Sequence, residues 1–127
     1  MARPPAKELT ERELQVMQIF WQHGEATAAE ARDRLAAAGL DLAYVTVANL
    51  IRLVLEKGFL RQTNQERPFR YRPAKSFDEV SHSLVGDLVR RVFQGSREQL
   101  LLNVLKRRRL TASERALLRE ILEEQQS

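Results

Sequence analysis

The chain has 127 residues, enough for one domain or two very small ones, and its 43% hydrophobic and 30% charged residues indicate a folded, soluble protein. A net charge of +4 favours acidic partners without identifying one. The absence of cysteine excludes disulfide scaffolds, thiolate metal sites and cysteine nucleophiles. The sequence shows neither a long apolar span nor an apolar signal core, so we expect a cytoplasmic protein without membrane insertion.

Three helices are predicted in the first half of the chain, and two of them begin with the same capping pattern. The pairs Thr10 with Glu13 and Thr27 with Glu30 each fit a capping box, in which a hydroxyl and a carboxylate satisfy each other's backbone amide. A glycine follows each predicted helix, as is common at helix C-termini. The three helices lie between Thr10 and Gly24, from Thr27 to about Ala38 before Gly39, and from about Ala43 to Lys57 before Gly58.

A hairpin is predicted after the third helix, because the pattern changes to that of strands. Residues 59–63 and 69–72 fit two strands, joined by a polar turn at 64–68. Residues 25–26, between the first two helices, are predicted as a minimal third strand. Helix, helix, helix and hairpin in this order predict a winged helix-turn-helix domain over residues 9–75, preceded by a flexible arm at 1–8.

Residues 76–127 are predicted to form three helices, capped by Ser76, Ser96 and Thr111, and Thr111 with Glu114 fits a third capping box. About 50 residues are too few for a stable core of their own. Their apolar stripes therefore favour a dimerisation domain that pairs with a second copy of the chain, and packing against the first domain is the alternative. The residues expected in that interface are Val80, Leu84, Leu88, Val92, Leu101, Leu105, Leu118, Ile121 and Leu122.

The third predicted helix carries a polar face that suits the major groove of DNA. Thr46, Asn49 and Arg52 recur there at three-residue spacing. Asn pairs with adenine and Arg with guanine or a phosphate, while Val45 fits a thymine methyl. The alternative is an ordinary solvent-facing helix. Tyr44, at the start of the helix, falls on its apolar side and is also a candidate DNA contact.

The hairpin concentrates positive charge, which suits the phosphates or minor groove of a duplex. Its arginines are Arg61, Arg67, Arg70 and Arg72. Of these, Arg67 and Arg70 are the predicted DNA contacts, and Arg72 is the one expected to be structural. Thr27 and the helix that it opens offer backbone amides to a phosphate. Arg3 and Lys7 in the arm would add phosphate contacts, whereas Lys106–Arg109 is expected to complement a helix C-terminus.

The sequence gives little support to an enzyme, a metal site or a cofactor. The five glycines are scattered and form no phosphate loop, and His23 and His82 lie far apart. We therefore expect no catalytic residues, no metal and no cofactor. Two alternatives to sequence-specific DNA binding remain: a winged-helix module that binds another protein, and a non-specific architectural DNA binder.

From Leu9 to about Glu123 the sequence resembles the penicillinase and methicillin-resistance repressors. The matching pieces are LTERELQVM at 9–17 with Trp21, YVTV at 44–47, EKGFL at 56–60, RYRP at 70–73, and GS at 95–96 leading into LLLN at 100–103. The resemblance implies a homodimeric winged-helix repressor that binds palindromic operators.

The resemblance also implies how the repressor is released from its operator. In the antibiotic-resistance members a membrane sensor-protease triggers cleavage within the dimerisation domain, after an Asn whose place is taken here by Asn103. Val104 stands where those relatives carry an aromatic residue, and Leu53 stands where many carry an arginine. The C-terminal cysteines of copper-responsive relatives are missing, which excludes that mode of sensing.

Overall fold

A computed structural model describes residues 8–126 of the chain, which form six helices and three short strands. The predicted arm, with Arg3 and Lys7, lies outside the described residues apart from Glu8. The elements are α1 (Glu11–His23), β1 (Ala26–Thr27), α2 (Ala28–Ala37), α3 (Tyr44–Glu56), β2 (Leu60–Gln62), β3 (Arg70–Pro73), α4 (Phe77–Val92), α5 (Arg97–Lys106) and α6 (Ala112–Gln126).

The capping boxes predicted at the starts of three helices are confirmed. At α1 the Glu13 amide donates to the Thr10 hydroxyl over 3.2 Å, and the Thr10 amide donates to the Glu13 carboxylate over 2.7 Å. Thr27 and Glu30 repeat the arrangement at α2, as Thr111 and Glu114 do at α6. These reciprocal bonds satisfy amides that a helix leaves without a partner in its first turn.

Helices α1, α2 and α3 pack with the strands around one hydrophobic core. Residues every three or four positions along α1 and α3 point inward, so that each helix buries one stripe. The fully buried members are Val16, Met17, Phe20, Ala26, Ala31, Val47 and Val54. Trp21 packs at the edge of this core, which agrees with its expected role in packing.

The strands form one small antiparallel sheet in the order β1-β3-β2. Ala26 pairs with Tyr71 and Arg61 pairs with Arg72, so β3 lies between the hairpin partner and the minimal strand. That minimal strand occupies residues 26–27, one position later than predicted. Three helices followed by this hairpin form a winged helix-turn-helix, and we call residues 60–73 the wing.

The chain divides into two compact units, the first ending at Ser81 and the second beginning at His82. The division lies within α4, whereas the sequence placed it before that helix, between residues 75 and 76. The first turns of α4 belong to the first unit because Val80 is buried in its core at 6% exposure. Trp21 fixes the same segment, since its indole donates to the Lys75 carbonyl over 3.0 Å and its ring meets Phe77 edge-on at 5.4 Å.

The structure therefore corrects one predicted interface residue, Val80. Its apolar side chain fits the helical stripe expected at the dimer interface, but the structure buries it in the core of the first unit. A side chain covered in this way has no surface left for a second chain. The remaining predicted interface residues all lie in the second unit, from Leu84 onward.

Candidate nucleic-acid interface

Helix α3 divides into a buried face and an exposed face. Val47, Ile51 and Val54 are buried in the core, which fixes the rotation of the helix about its axis. The opposite face is open to solvent and carries the predicted contacts Val45, Thr46, Asn49 and Arg52. Val45 is 68% exposed, so its methyl groups are accessible to a ligand on this face.

The N-terminus of α3 is the one helix start among residues 8–126 that lacks a hydroxyl cap. Ala43 occupies the capping position and offers no side-chain acceptor. The five other helices each have a Ser or Thr hydroxyl that accepts from the amide three residues on: Thr10, Thr27, Ser76, Ser96 and Thr111. First-turn amides of α3 thus remain open to an acceptor from outside the chain.

Arg52 is exposed on α3 and forms an ion pair with Glu56, which lies one turn later along the helix. Its guanidinium lies 2.9 Å from the Glu56 carboxylate, and the two side chains are 59% and 60% exposed. Exposed pairs of this kind contribute little to stability, so the guanidinium can exchange Glu56 for another acceptor at small cost.

The turn of the wing is held together by one side chain, Asn64. Its amide nitrogen donates to the carbonyls of Glu66 and Pro68, over 2.9 Å and 3.1 Å. Its amide oxygen accepts from the Arg70 amide over 2.7 Å, at the start of β3. Arg67, on this turn, places its guanidinium 5.4 Å from the centre of the Phe69 ring and forms no ion pair with any residue of the described chain.

Arg70 is paired inside the protein. Its Nε donates to the Glu25 carboxylate over 2.8 Å, and its guanidinium lies 3.7 Å from the Glu30 carboxylate. The hydrogen bonds from Arg70 and then from Thr63 lower the pKa of Glu25, and the bonds at Thr27 lower that of Glu30. Arg70, a predicted DNA contact, thus has intramolecular partners, whereas Arg72, which was expected to be structural, is exposed.

Three predicted contacts meet around one cleft. It has a volume of about 540 Å³ and lies between the start of α2, the start of α3 and the wing; Thr27, Ala28, Ala29, Tyr44, Arg67 and Tyr71 line it. The hydroxyl and amide of Thr27 are both used by Glu30, so the first-turn amides left for a ligand are those of Ala28 and Ala29.

Two tyrosines lie at this cleft, and the sequence had identified one of them. Tyr44 is 49% exposed, rather than packed on the apolar side of α3 where a regular helical projection placed it. Tyr71, in β3, lines the same cleft, and burial, followed by the proximity of Tyr44, raises the pKa of its hydroxyl. The Tyr71 hydroxyl is therefore protonated at neutral pH and able to donate to an anion.

The second unit exposes many of its apolar residues. Leu84, Leu88, Val92, Leu101, Ile121 and Leu122 are all at least 40% exposed. Val85, Val89, Leu100 and Leu101 line a groove of about 650 Å³ between α4 and α5. Asn103 and Val104 lie on α5, where Val104 is 61% exposed, and Lys106–Arg109 lies at and beyond the C-terminus of that helix.

Within residues 8–126 no group of three or more His, Asp or Glu side chains is placed to hold a metal ion. Over the same residues no helix combines the length and the apolar character that a membrane span requires.

A three-helix core, an exposed third helix and an arginine-bearing wing define a winged-helix DNA-binding protein. Residues 9–124 match the penicillinase repressor family, and the chain belongs to that family of transcriptional repressors, which is not a class of enzymes. This membership confirms the resemblance drawn from the short sequence motifs.

Individual relatives agree with this assignment. The transcriptional regulator BlaI of Mycobacterium tuberculosis is 30% identical over 110 residues, which cover 86% of this chain and 78% of that regulator. The solution structure of the DNA-binding domain of the repressor BlaI is 23% identical, with a TM-score of 0.50, and covers 62% of this chain and 93% of that domain. The latter similarity supports the fold of the first unit.

Proposed function

We propose that this repressor binds a palindromic DNA operator as a homodimer and that α3 reads the bases in the major groove. The observation that carries the proposal is the division of α3 into two faces. Val47, Ile51 and Val54 hold one face in the core, so Asn49 and Arg52 project from a rigid support. A supported, solvent-facing helix of this length fits the major groove.

The exposed side chains of α3 are suited to particular base edges. Asn49 can form two hydrogen bonds with adenine, and Arg52 can bind guanine once it leaves Glu56. Thr46 can donate or accept, and Val45 offers methyl groups to thymine. These four side chains are the proposed source of sequence preference.

The phosphate contacts are proposed at two helix starts and the wing turn. Arg67 and Tyr44 line the same cleft as Ala28 and Ala29 in the first turn of α2. The uncapped start of α3 supplies further amide donors. A phosphate bound between amides, a hydroxyl and a guanidinium receives charge-assisted hydrogen bonds from each.

The second unit is proposed to pair two chains. Its exposed leucines and the groove between α4 and α5 leave apolar surface in water, and burying it against a second copy would be favourable. A dimer also raises the effective concentration of the second DNA-binding unit once the first has bound. The operator would then have two symmetric half-sites about 10 base pairs, or a multiple, apart.

The test is selection of duplexes from a random library by the full-length chain, followed by fluorescence anisotropy on the selected and scrambled duplexes. We expect a dyad-symmetric sequence, bound at least about a thousandfold more tightly than the scrambled one at fixed salt. Selection of no motif, with equal affinity for both duplexes, would support the architectural alternative. Absence of any DNA binding would favour a protein-binding module.

We further propose that a membrane sensor-protease releases the repressor by cutting between Asn103 and Val104. Exposure of Val104 and the shortness of α5, which has 10 residues, favour local unwinding at this bond. The test is mass spectrometry of the chain co-expressed with a membrane metalloprotease from the same locus. A fragment ending at Asn103, lost in Val104→Pro, is expected; an intact chain under inducing conditions would contradict the proposal.

A further inference from the structure

Glu25 contacts β3 of the wing although it lies outside the wing. It immediately precedes β1, and its carboxylate accepts from Arg70 Nε over 2.8 Å. The side chain of Thr63, one residue after β2, also lowers the pKa of this carboxylate. A single carboxylate therefore joins β3 to the segment that links α1 to α2.

Arg70 also connects the wing to α2. Its guanidinium lies 3.7 Å from Glu30, whose carboxylate also accepts from the Thr27 amide over 2.9 Å at the start of that helix. The Arg70 amide is held by Asn64 from the turn of the wing. Arg70 is thus fixed between the turn of the wing and the carboxylates of Glu25 and Glu30.

The arginines of the wing consequently differ in what they can offer to DNA. The charge of Arg70 is offset by two carboxylates, so its attraction to a phosphate is reduced. Arg67 lies at the turn, forms no ion pair among residues 8–126 and lines the cleft. Arg67 is therefore the cation that we assign to a phosphate at the cleft, and its position depends on how the wing is held.

We infer that Glu25, acting through Arg70, is a positioning residue that sets the orientation of the wing for DNA binding. The inference rests on the proposed DNA-binding function. Glu25 and Arg70 are 38% and 41% exposed, so their pair contributes little to folding. Its effect is expected in the geometry of the bound wing rather than in stability.

The inference predicts an effect opposite in sign to simple electrostatics. Removing a carboxylate from a protein that binds a polyanion reduces repulsion and should strengthen binding. If Glu25 positions the wing, Glu25→Ala should weaken binding, because Arg67 is no longer held where a phosphate lies. Glu66, in the wing turn, provides the matched control, since Glu66→Ala removes the same charge without touching Arg70.

The experiment measures the affinity of the full-length variants for the selected operator by fluorescence anisotropy at several salt concentrations. We expect Glu25→Ala to bind about fivefold more weakly or worse, with a salt slope smaller by about one, as for Arg67→Ala. Glu66→Ala should bind as tightly as wild type or more tightly. Glu25→Gln, whose amide oxygen can still accept from Arg70, should recover part of the loss.

A double-mutant cycle separates positioning from general damage. If Glu25 acts by placing Arg67, then adding Glu25→Ala to Arg67→Ala should cause little further loss. Thermal melting of all variants should stay close to wild type. Additive losses, or an unchanged or tighter affinity of Glu25→Ala, would overturn the inference. If the wild-type protein binds the operator and scrambled DNA equally well, the proposed function is overturned instead. The two failures are therefore distinguishable.

Discussion

Lys57, the residue that follows α3, donates a hydrogen bond of 2.7 Å to the carboxylate of Glu13 in α1. Glu13 is 1% exposed, and the same carboxylate accepts from the Thr10 amide. Lys57 also donates to the carbonyl of Glu8 over 2.8 Å. A buried ion pair therefore holds the end of α3, the proposed recognition helix, against the start of α1. The pair thereby helps to fix the orientation of α3.

Lys57→Met should destabilise the fold substantially. The substitution leaves Glu13 as a buried carboxylate without its cation, and loss of one partner of a buried pair costs about 3–5 kcal/mol. Urea unfolding at neutral pH measures the change. Arg52→Met is the matched control, because it breaks the exposed pair with Glu56 and should cost about 0.5 kcal/mol or less. Equal losses in the two variants would contradict this role of Lys57.

Stability should fall in acid partly through Glu13. Burial alone would raise its pKa, but the hydrogen bonds from Lys57 and Thr10 outweigh burial and hold the pKa below its usual value. The folded state therefore binds its proton less readily than the unfolded state. The resulting stability is present above the ordinary glutamate pKa of about 4.3 and is lost as the pH falls through the lower folded value.

Urea unfolding of wild type and Glu13→Gln from pH 7 to about pH 3 tests this linkage, since the amide cannot titrate in that range. The difference in unfolding free energy between the two proteins should shrink as the pH falls. Glu25 and Glu30 also have lowered pKa values, but they are present in both proteins and cancel in the comparison. A difference independent of pH would show that Glu13 does not carry the effect.

Asn49→Ala should relax base preference. The exposed amide is proposed to pair with adenine, and its loss should cost about 1–3 kcal/mol on the selected operator and much less on scrambled DNA. Anisotropy titrations at one salt concentration give both affinities. Gln18→Ala, an exposed polar residue of α1 outside the proposed interface, serves as the control and should bind like wild type. Equal losses on both duplexes would reject a base contact for Asn49.

Leu88→Glu should convert the proposed dimer to monomers. Leu88 is exposed on α4 within the second unit, and a charge there would have to be buried when two chains pair. Sedimentation velocity at micromolar concentration distinguishes the two states. Val45→Glu makes the same kind of change at an exposed position of the first unit and should leave the dimer intact. An unaltered dimer in Leu88→Glu would place the interface elsewhere.

The features that were best predicted from the sequence are those that depend only on residues close together in the chain. The capping boxes at Thr10 and Thr111 need only two side chains three positions apart, and both are present in the structure. The order of helices and hairpin followed from changes in local period, so the winged helix and its family were recognisable.

The failures concern contacts between residues distant in the chain. Val80 has the spacing of an interface residue, yet the core of the first unit extends into α4 and buries it. Arg70 and Arg72 have equal charge on one strand, and only the position of Glu25, 45 residues earlier, separates their roles. Tyr44 projects onto the apolar side of α3, but at the first residue of the helix it lines the cleft and stays 49% exposed.

The exposed leucines of the second unit bear on how the protein responds to its own abundance. If their coverage requires a second chain, the concentration of the DNA-binding form rises with the square of the protomer concentration while most chains are monomeric. Halving synthesis would then lower operator occupancy more than twofold at low abundance. Repression would switch off over a narrow range of cellular dosage, without any change in the affinity of the individual DNA-binding unit.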